Sequence, residues 1–427
     1  MKFSLSNHKL FSTTLRKDVF LTFSVQVILM VALFIVNKIL SVKLGVDGYG
    51  EFSIIKRSAS VFAYAMVGGM SIALPRYLSI YRAKQERQTE NSFFVASLLL
   101  VFSFSLIVLL LAIFFKEKLL VFLFGLMPQT HYLPVLLCYA FSLCMSSYLF
   151  SFFRGKGSYL MFSISQIVVQ VINLVGCFFT FVSLSFVFYF WSIAVLGYTF
   201  FHIVREIYKF QIEIKEIFQH ILPSFKQLAK YGTPRMSGDF LLFSFAAYPL
   251  IVINQKFGMT NTGLFSAAVT LNTMITPLFA FLGTILLQRT SEGVATHQLA
   301  PIYKIINKMI PCYAVLAGLA ALAITFFAKW LLPLFYESSY IEATSFCAIV
   351  SWSLIPNALY LLLRNPLDAL SVFPHNTINL FVSFLVLVIG LYLANTILQF
   401  CYVYLLSYCV MALLSICSWF YVKIKVK

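Results

Sequence analysis

The chain has 427 residues, of which 61% are hydrophobic and only 11% charged, and its formal net charge is +17. A soluble protein carries about 25% charged residues, and no single aqueous core could hide this much apolar side chain, so the composition excludes a soluble globular domain. The basic excess does not indicate nucleic acid either, because Lys and Arg are spread thinly between apolar runs rather than gathered on one soluble face.

The apolar runs are about 20 residues long and uniformly apolar, which fits membrane-spanning helices and not the alternating strands of a barrel. In chain order, spans are predicted near residues 19–42, 52–74, 92–115, 132–153, 159–182, 184–204, 236–255, 264–287, 304–328, 343–363, 377–395 and 397–421. The first run follows a basic stretch with Lys2, Lys9, Arg16 and Lys17, and is too long for a signal-peptide core. It is expected to be a retained span. With the N-terminus placed inside, about 23 Lys and Arg fall on inside segments and about five on outside ones. That asymmetry predicts both termini in the cytoplasm. The longest inside segment, 205–235, alternates apolar and charged residues. It reads as an amphipathic helix on the inner leaflet or as a plain basic linker. The eight cysteines show no metal-ligand spacing and the six histidines are scattered, so no metal site and no cofactor are expected.

Residues 43–53 and 256–266 share the pattern K-[LF]-G-x4-G-x-F-S at an offset of 213, about half the chain. Arg76 and Arg289 keep that offset, and Arg154 and Arg364 end the fourth span of each half at nearly the same one. This predicts an internal duplication, with Gly45, Gly50, Gly258 and Gly263 shaping matching turns through positive φ or close helix approach. An even number of spans per half makes the halves parallel repeats about an axis along the membrane normal, a plan used by transporters. The expected architecture is all-α: a lobe over 1–204, a linker over 205–235 and a second lobe over 236–427, around a central cleft.

Ionisable groups inside spans cost about 2.5–3.5 kcal/mol each at the bilayer centre on insertion scales. The candidates for lining the cleft are Asn37 and Lys38 in the first span and Lys56 and Arg57 in the second. Gln166, Gln170 and Asn173 follow in the fifth, Asp239 in the seventh, and Asn357, Tyr360 and Arg364 in the tenth. Each has a plainer reading. Polar rows also glue helices together, Lys38, Lys56 and Arg57 could snorkel to the outer surface, and Asp239 could neutralise Arg235 one turn away. The set as a whole is cationic, which suits an anionic ligand such as a phosphate or pyrophosphate group.

The run Lys43-Leu44-Gly45-Val46-Asp47-Gly48-Tyr49-Gly50-Glu51-Phe52-Ser53 resembles the first outside turn of bacterial O-antigen and polysaccharide flippases. Those flippases belong to the multidrug/oligosaccharidyl-lipid/polysaccharide (MOP) exporter superfamily. Gly68-Gly69-Met70-Ser71-Ile72-Ala73-Leu74-Pro75-Arg76-Tyr77 is similar to the end of their second span, and Gly263-Leu264-Phe265-Ser266-Ala267-Ala268 to the matching turn of the second half. The resemblance implies about 12 helices in two lobes in a bacterial inner membrane. It also implies a non-enzymatic flippase moving an undecaprenyl-pyrophosphate-linked oligosaccharide to the periplasmic leaflet by alternating access. H+ or Na+ coupling is compatible with it, though no residue pair identifies the ion. Membrane lipids and other polysaccharide assembly proteins are the implied partners. A small-molecule or multidrug exporter of the same architecture stays open, as does, further off, a membrane polymerase or ligase.

Overall fold

In a computed structural model, residues 13–125, 131–210, 214–295, 299–371 and 373–425 are described. The basic residues Lys2 and Lys9, together with His8, His297 and Lys427, lie outside them. The helices are α1 (Thr13–Val67), α2 (Met70–Ala83), α3 (Arg87–Phe114), α4 (Lys116–Phe124), α5 (Tyr132–Gly155), α6 (Tyr159–Gly176) and α7 (Leu184–Phe210). The second half holds α8 (Ile214–Ala295), α9 (Ala300–Phe335), α10 (Thr344–Val350), α11 (Leu354–Leu370), α12 (His375–Leu393) and α13 (Ile397–Lys425). No strand occurs among the described residues.

Among the described residues, ten helical segments are long and apolar enough to cross a membrane. Two of them cannot be single crossings. The segment Ile221–Ala280 has 60 residues, about 90 Å as a straight helix against a hydrocarbon core of about 30 Å. It turns at Gly258, whose φ of 84° breaks the helical path. The long helix α1 turns at Gly45, with φ 67°. The Tyr49 hydroxyl donates to Asn37 Oδ1 at 2.9 Å, although twelve residues of straight helix would separate them by about 18 Å. The two arms of α1 therefore fold back on each other. Dividing both segments gives the twelve crossings expected from the hydropathy pattern. Leu106, Leu110, Val315, Leu319, Phe326 and Leu413 present apolar side chains outward, as a lipid-facing surface requires. Phe114, Trp330 and Tyr392 are exposed at helix ends, in the manner of interfacial aromatic belts.

The second crossing departs from the expected continuous helix over 52–74. It breaks at Gly68 and Gly69, both left-handed at φ 60° and 76°. A Cβ on Gly69 would lie 2.1 Å from the Gly232 carbonyl oxygen, so α2 and α8 touch backbone to backbone there. Residues 205–235 are helical on either side of 211–213. The later part runs straight into the seventh crossing and packs on the first half, with Ser224 Oγ 2.9 Å from Ser92 Oγ and Tyr231 accepting from Arg76 at 2.7 Å.

The duplication is visible as geometry. Thr260 donates to Asp47 at 2.6 Å, Ser266 to Ser53 at 2.7 Å, and Arg57 to Thr270 at 3.2 Å. Each of these residues meets the one 213 positions away. A residue touches its own counterpart only on a two-fold axis. The contact is reciprocal as well: a Cβ on Gly50 would meet the Met259 carbonyl oxygen at 2.8 Å, and one on Gly263 the Val46 carbonyl oxygen at 2.2 Å. Two six-helix lobes thus meet along a seam of small residues between the arms that follow Gly45 and Gly258.

Candidate functional site

The seam sits near the end of the molecule that carries the Gly45 and Gly258 turns. Arg57 lies twelve residues beyond Gly45, about 18 Å along the helix and near the middle of a 30 Å core. Lys56 and Arg57 are therefore too deep to reach the surface within one or two turns, and snorkelling does not describe them. Being adjacent on a helix, they diverge. Arg57 crosses to Thr270 of the second lobe, within electrostatic reach of Tyr404 and Tyr408. Lys56 stays on the first-lobe side, its ammonium 5.2 Å from the Phe52 ring and near Cys177. Among the described residues neither has a carboxylate partner.

Two first-span candidates are committed elsewhere. Asn37 is buried, donating to the Leu33 carbonyl at 2.7 Å and accepting from Tyr49. It fastens the α1 hairpin and is not free for a ligand. Lys38 Nζ donates to the carbonyls of Pro333, at 2.7 Å, and Tyr336. It therefore caps the C-terminus of α9 in the opposite lobe, where unsatisfied carbonyls and the helix dipole favour a cation. Lys256 does the same for α12, donating to Leu391, Tyr392 and Ala394 at 3.1, 2.9 and 3.0 Å. Hydrogen bonds to charged groups contribute about 1.5–3 kcal/mol, so Lys38→Met is expected to lower stability by about 2 kcal/mol, read as a lower melting temperature in detergent. A melting curve identical to wild type would mean the cap does not hold the lobes.

The fifth-span stripe stays within the first lobe. Asn173 donates to Gln170 at 3.4 Å and its carbonyl accepts from Trp191 at 2.9 Å, while Gln166 Oε1 is buried without a partner. No hydrogen bond from Gln166, Gln170 or Asn173 reaches the second lobe among the described residues.

A second polar group forms at the opposite, basic end. Asp239, on α8, pairs with Arg364 of α11 at 2.9 Å and not with Arg235. Arg235 instead lies over the Tyr231 ring, 3.9 Å from its centre, and donates to the Tyr231 carbonyl. The second oxygen of Asp239 accepts from Ser71 of α2 at 3.3 Å. The Ser71 carbonyl accepts from Arg154 of α5 at 3.2 Å. A continuous polar chain, Arg154–Ser71–Asp239–Arg364, therefore joins the lobes. Beside it Tyr64 and Phe243 stack across the interface with ring centres 3.8 Å apart. Tyr360 is fully buried with its hydroxyl unpartnered, and Asn357, one turn earlier, is half-buried. The single-face patterns did not mark Arg154 or Ser71 as a pair. The repeated Arg at the end of each fourth span was the available signal. Among the described residues no cluster of His, Cys, Asp or Glu could hold a metal ion.

Twelve helical crossings among the described residues form two pseudo-symmetric lobes, and Arg57 and the Asp239–Arg364 pair lie at the interface between them. The chain belongs to the polysaccharide biosynthesis protein family, whose model matches residues 15–292. No curated protein sequence matches it. Among solved structures it is similar to an inward-facing multidrug resistance MATE family transporter of the MOP superfamily. That pair has a TM-score of 0.73 and 11% identity, covering 96% of this chain and 98% of the other. It is similar also to a MOP transporter from Pyrococcus furiosus (TM-score 0.68, 14% identity, 96% and 94% covered). A MATE transporter from Vibrio cholerae matches at TM-score 0.66 and 15% identity, with 96% and 98% covered. At such identities the likeness is one of fold.

Proposed function

We propose that this transporter is a flippase for an anionic, lipid-linked oligosaccharide, carrying it from the cytoplasmic to the periplasmic leaflet of a bacterial inner membrane for surface polysaccharide assembly. The observation that carries the reading is the charge between the lobes. Arg57 and Arg364 reach across the interface, Arg154 joins it through Ser71, and Lys56 stands beside Arg57 on the first-lobe side; the carboxylates near Arg154 and Arg364 are Asp239 and Asp368. A polar interface with surplus cations favours phosphate or pyrophosphate. The family to which the chain belongs supports the polysaccharide setting. In this reading the sugar and pyrophosphate occupy the cleft and the polyprenyl tail stays in lipid.

Each lost charge-assisted contact costs about 1.5–3 kcal/mol, roughly ten- to a hundredfold in affinity. Lys56→Ala and Arg57→Ala are each expected to cut surface polysaccharide at least tenfold in a complementation assay while the protein inserts at normal levels. Full surface polysaccharide in both variants would overturn the reading. A second reading, a small-molecule exporter, is favoured by the fold shared with a multidrug resistance transporter. Loss of drug tolerance on deletion, with surface polysaccharide intact, would select it.

A further inference from the structure

The polar chain at the basic end contains one carboxylate held where a ligand's negative charge could sit. Asp239 is 6% exposed, and its two oxygens are divided between the lobes, one on Arg364 and one on Ser71. Arg154 and Arg364 are near-equivalent residues of the duplication, one from each lobe, and both bear on this point. Arg364 pairs with Asp239 directly, whereas Arg154 reaches it only through the Ser71 carbonyl, at 3.2 Å. Arg154 also donates to Ser151 Oγ at 3.1 Å and has no ion pair among the described residues. The Tyr64 hydroxyl is within electrostatic reach of Asp239, Arg154 and Arg364. The Tyr360 hydroxyl, buried and unpartnered, is within reach of Arg364 and Asp239. One guanidinium and one hydroxyl thus touch the carboxylate directly, with a second guanidinium and two phenols in its electrostatic neighbourhood. That donor set has more hydrogen-bonding capacity than a single carboxylate uses.

We propose that Arg154 and Arg364 form an anion-receiving site for a phosphate or pyrophosphate group, and that Asp239 is its built-in competitor, displaced when the ligand binds. The proposal rests on the flippase reading for its substrate class, and it assigns the receiving step to residues other than Lys56 and Arg57. A tetrahedral diphosphate can engage both guanidinium groups at once, each bidentately. Asp239 engages Arg364 alone. Displacing it also breaks the Ser71–Asp239 bond that ties α2 to α8. Ligand binding at the basic end is thereby linked to separation of the lobes there. In the empty protein the carboxylate compensates Arg364, where unpaired buried charge is costly, and leaves Arg154, an exposed residue, with only the Ser71 carbonyl and the Ser151 hydroxyl.

The test uses purified protein in nanodiscs of zwitterionic lipid, titrated with inorganic pyrophosphate in solution and, separately, with polyprenyl pyrophosphate carried in the bilayer. Asp239→Asn removes the competitor and is expected to bind at least about tenfold tighter, the equivalent of one weak ion pair. Ser71→Ala removes the bond made only in the empty state and is expected to bind roughly fivefold tighter, on the scale of one ordinary net hydrogen bond. Arg154→Gln is expected to lose at least tenfold. A gain with either form of pyrophosphate supports displacement, and the form that shows it identifies a free anion or a lipid headgroup as the ligand. Equal or weaker binding by both Asp239→Asn and Ser71→Ala overturns the proposal. Ser71→Ala keeps it falsifiable should Asp239→Asn accumulate poorly. The outcome is separable from the function test. If Lys56→Ala and Arg57→Ala abolish surface polysaccharide but no variant gains affinity, the flippase reading stands and the displacement falls. If the gain appears while surface polysaccharide is unaffected in both lysine and arginine variants, the anion site stands and the flippase reading falls.

Discussion

The double variant Ser53→Cys/Ser266→Cys is expected to form a disulfide under mild oxidation and to stop export. The two hydroxyl oxygens are 2.7 Å apart, and both side chains are buried. Two serines that close have Cβ atoms near the separation a disulfide needs, about 3.5–4.5 Å. The surrounding backbone holds them there, because Gly50 and Gly263 let each helix approach a carbonyl of the other closer than any Cβ would allow. Small residues at helix crossings permit such approach in membranes. A covalent bond on the two-fold axis fixes the lobes together at the end bearing the Gly45 and Gly258 turns. In a transporter that exposes its cleft alternately to the two sides, this seam must part, so surface polysaccharide should fall to near background and recover on reduction. Each single cysteine variant should export normally. The disulfide is read as an altered mobility in non-reducing gels. Complete oxidation with continued export would show that the seam does not open during transport. Absence of any disulfide would contradict the contact between counterparts.

Much of this architecture is legible in the sequence for a physical reason. Bilayer thickness imposes a length on every span, so hydropathy alone locates twelve crossings. A duplication leaves its offset in the turn glycines, and the same offset of 213 reappears as contacts between Asp47 and Thr260 and between Ser53 and Ser266. The partners of the charged groups are not legible in this way. Helical periodicity tells which residues share a face, but not which distant helix that face meets. Lys38 finds the end of α9 295 to 298 positions away, and Asp239 finds Arg364 125 positions away in place of Arg235 four positions away. The local pairing lost because a side chain one turn away on the same helix competes with a guanidinium brought to 2.9 Å by tertiary packing. The break at Gly68 and Gly69 did have a signal, since paired glycines punctuate helices. Continuous hydropathy across it hid the bend.

The Asp239–Arg364 pair should respond asymmetrically to loss of either member. Arg364→Ala leaves a carboxylate that is 6% exposed with only the Ser71 hydroxyl as partner. Breaking a buried pair by removing one member costs about 3–5 kcal/mol, so this variant should accumulate poorly or melt far below wild type. Asp239→Asn should cost much less. Arg364 keeps Tyr360 and Asp368 within electrostatic reach, and the amide can still accept from Ser71. The double variant Asp239→Asn/Arg364→Gln removes both charges and should recover most of what Arg364→Ala loses, since replacing both members of a buried pair is often near neutral. Melting temperature and membrane level of the three variants measure this directly. Equal losses in Arg364→Ala and Asp239→Asn, with no recovery in the double variant, would show that the two side chains do not stabilise the protein as a pair. Recovered stability combined with failed export in the double variant would instead place the pair in the transport cycle, because a folded, inserted protein would then lack only the charges that receive and release the anion.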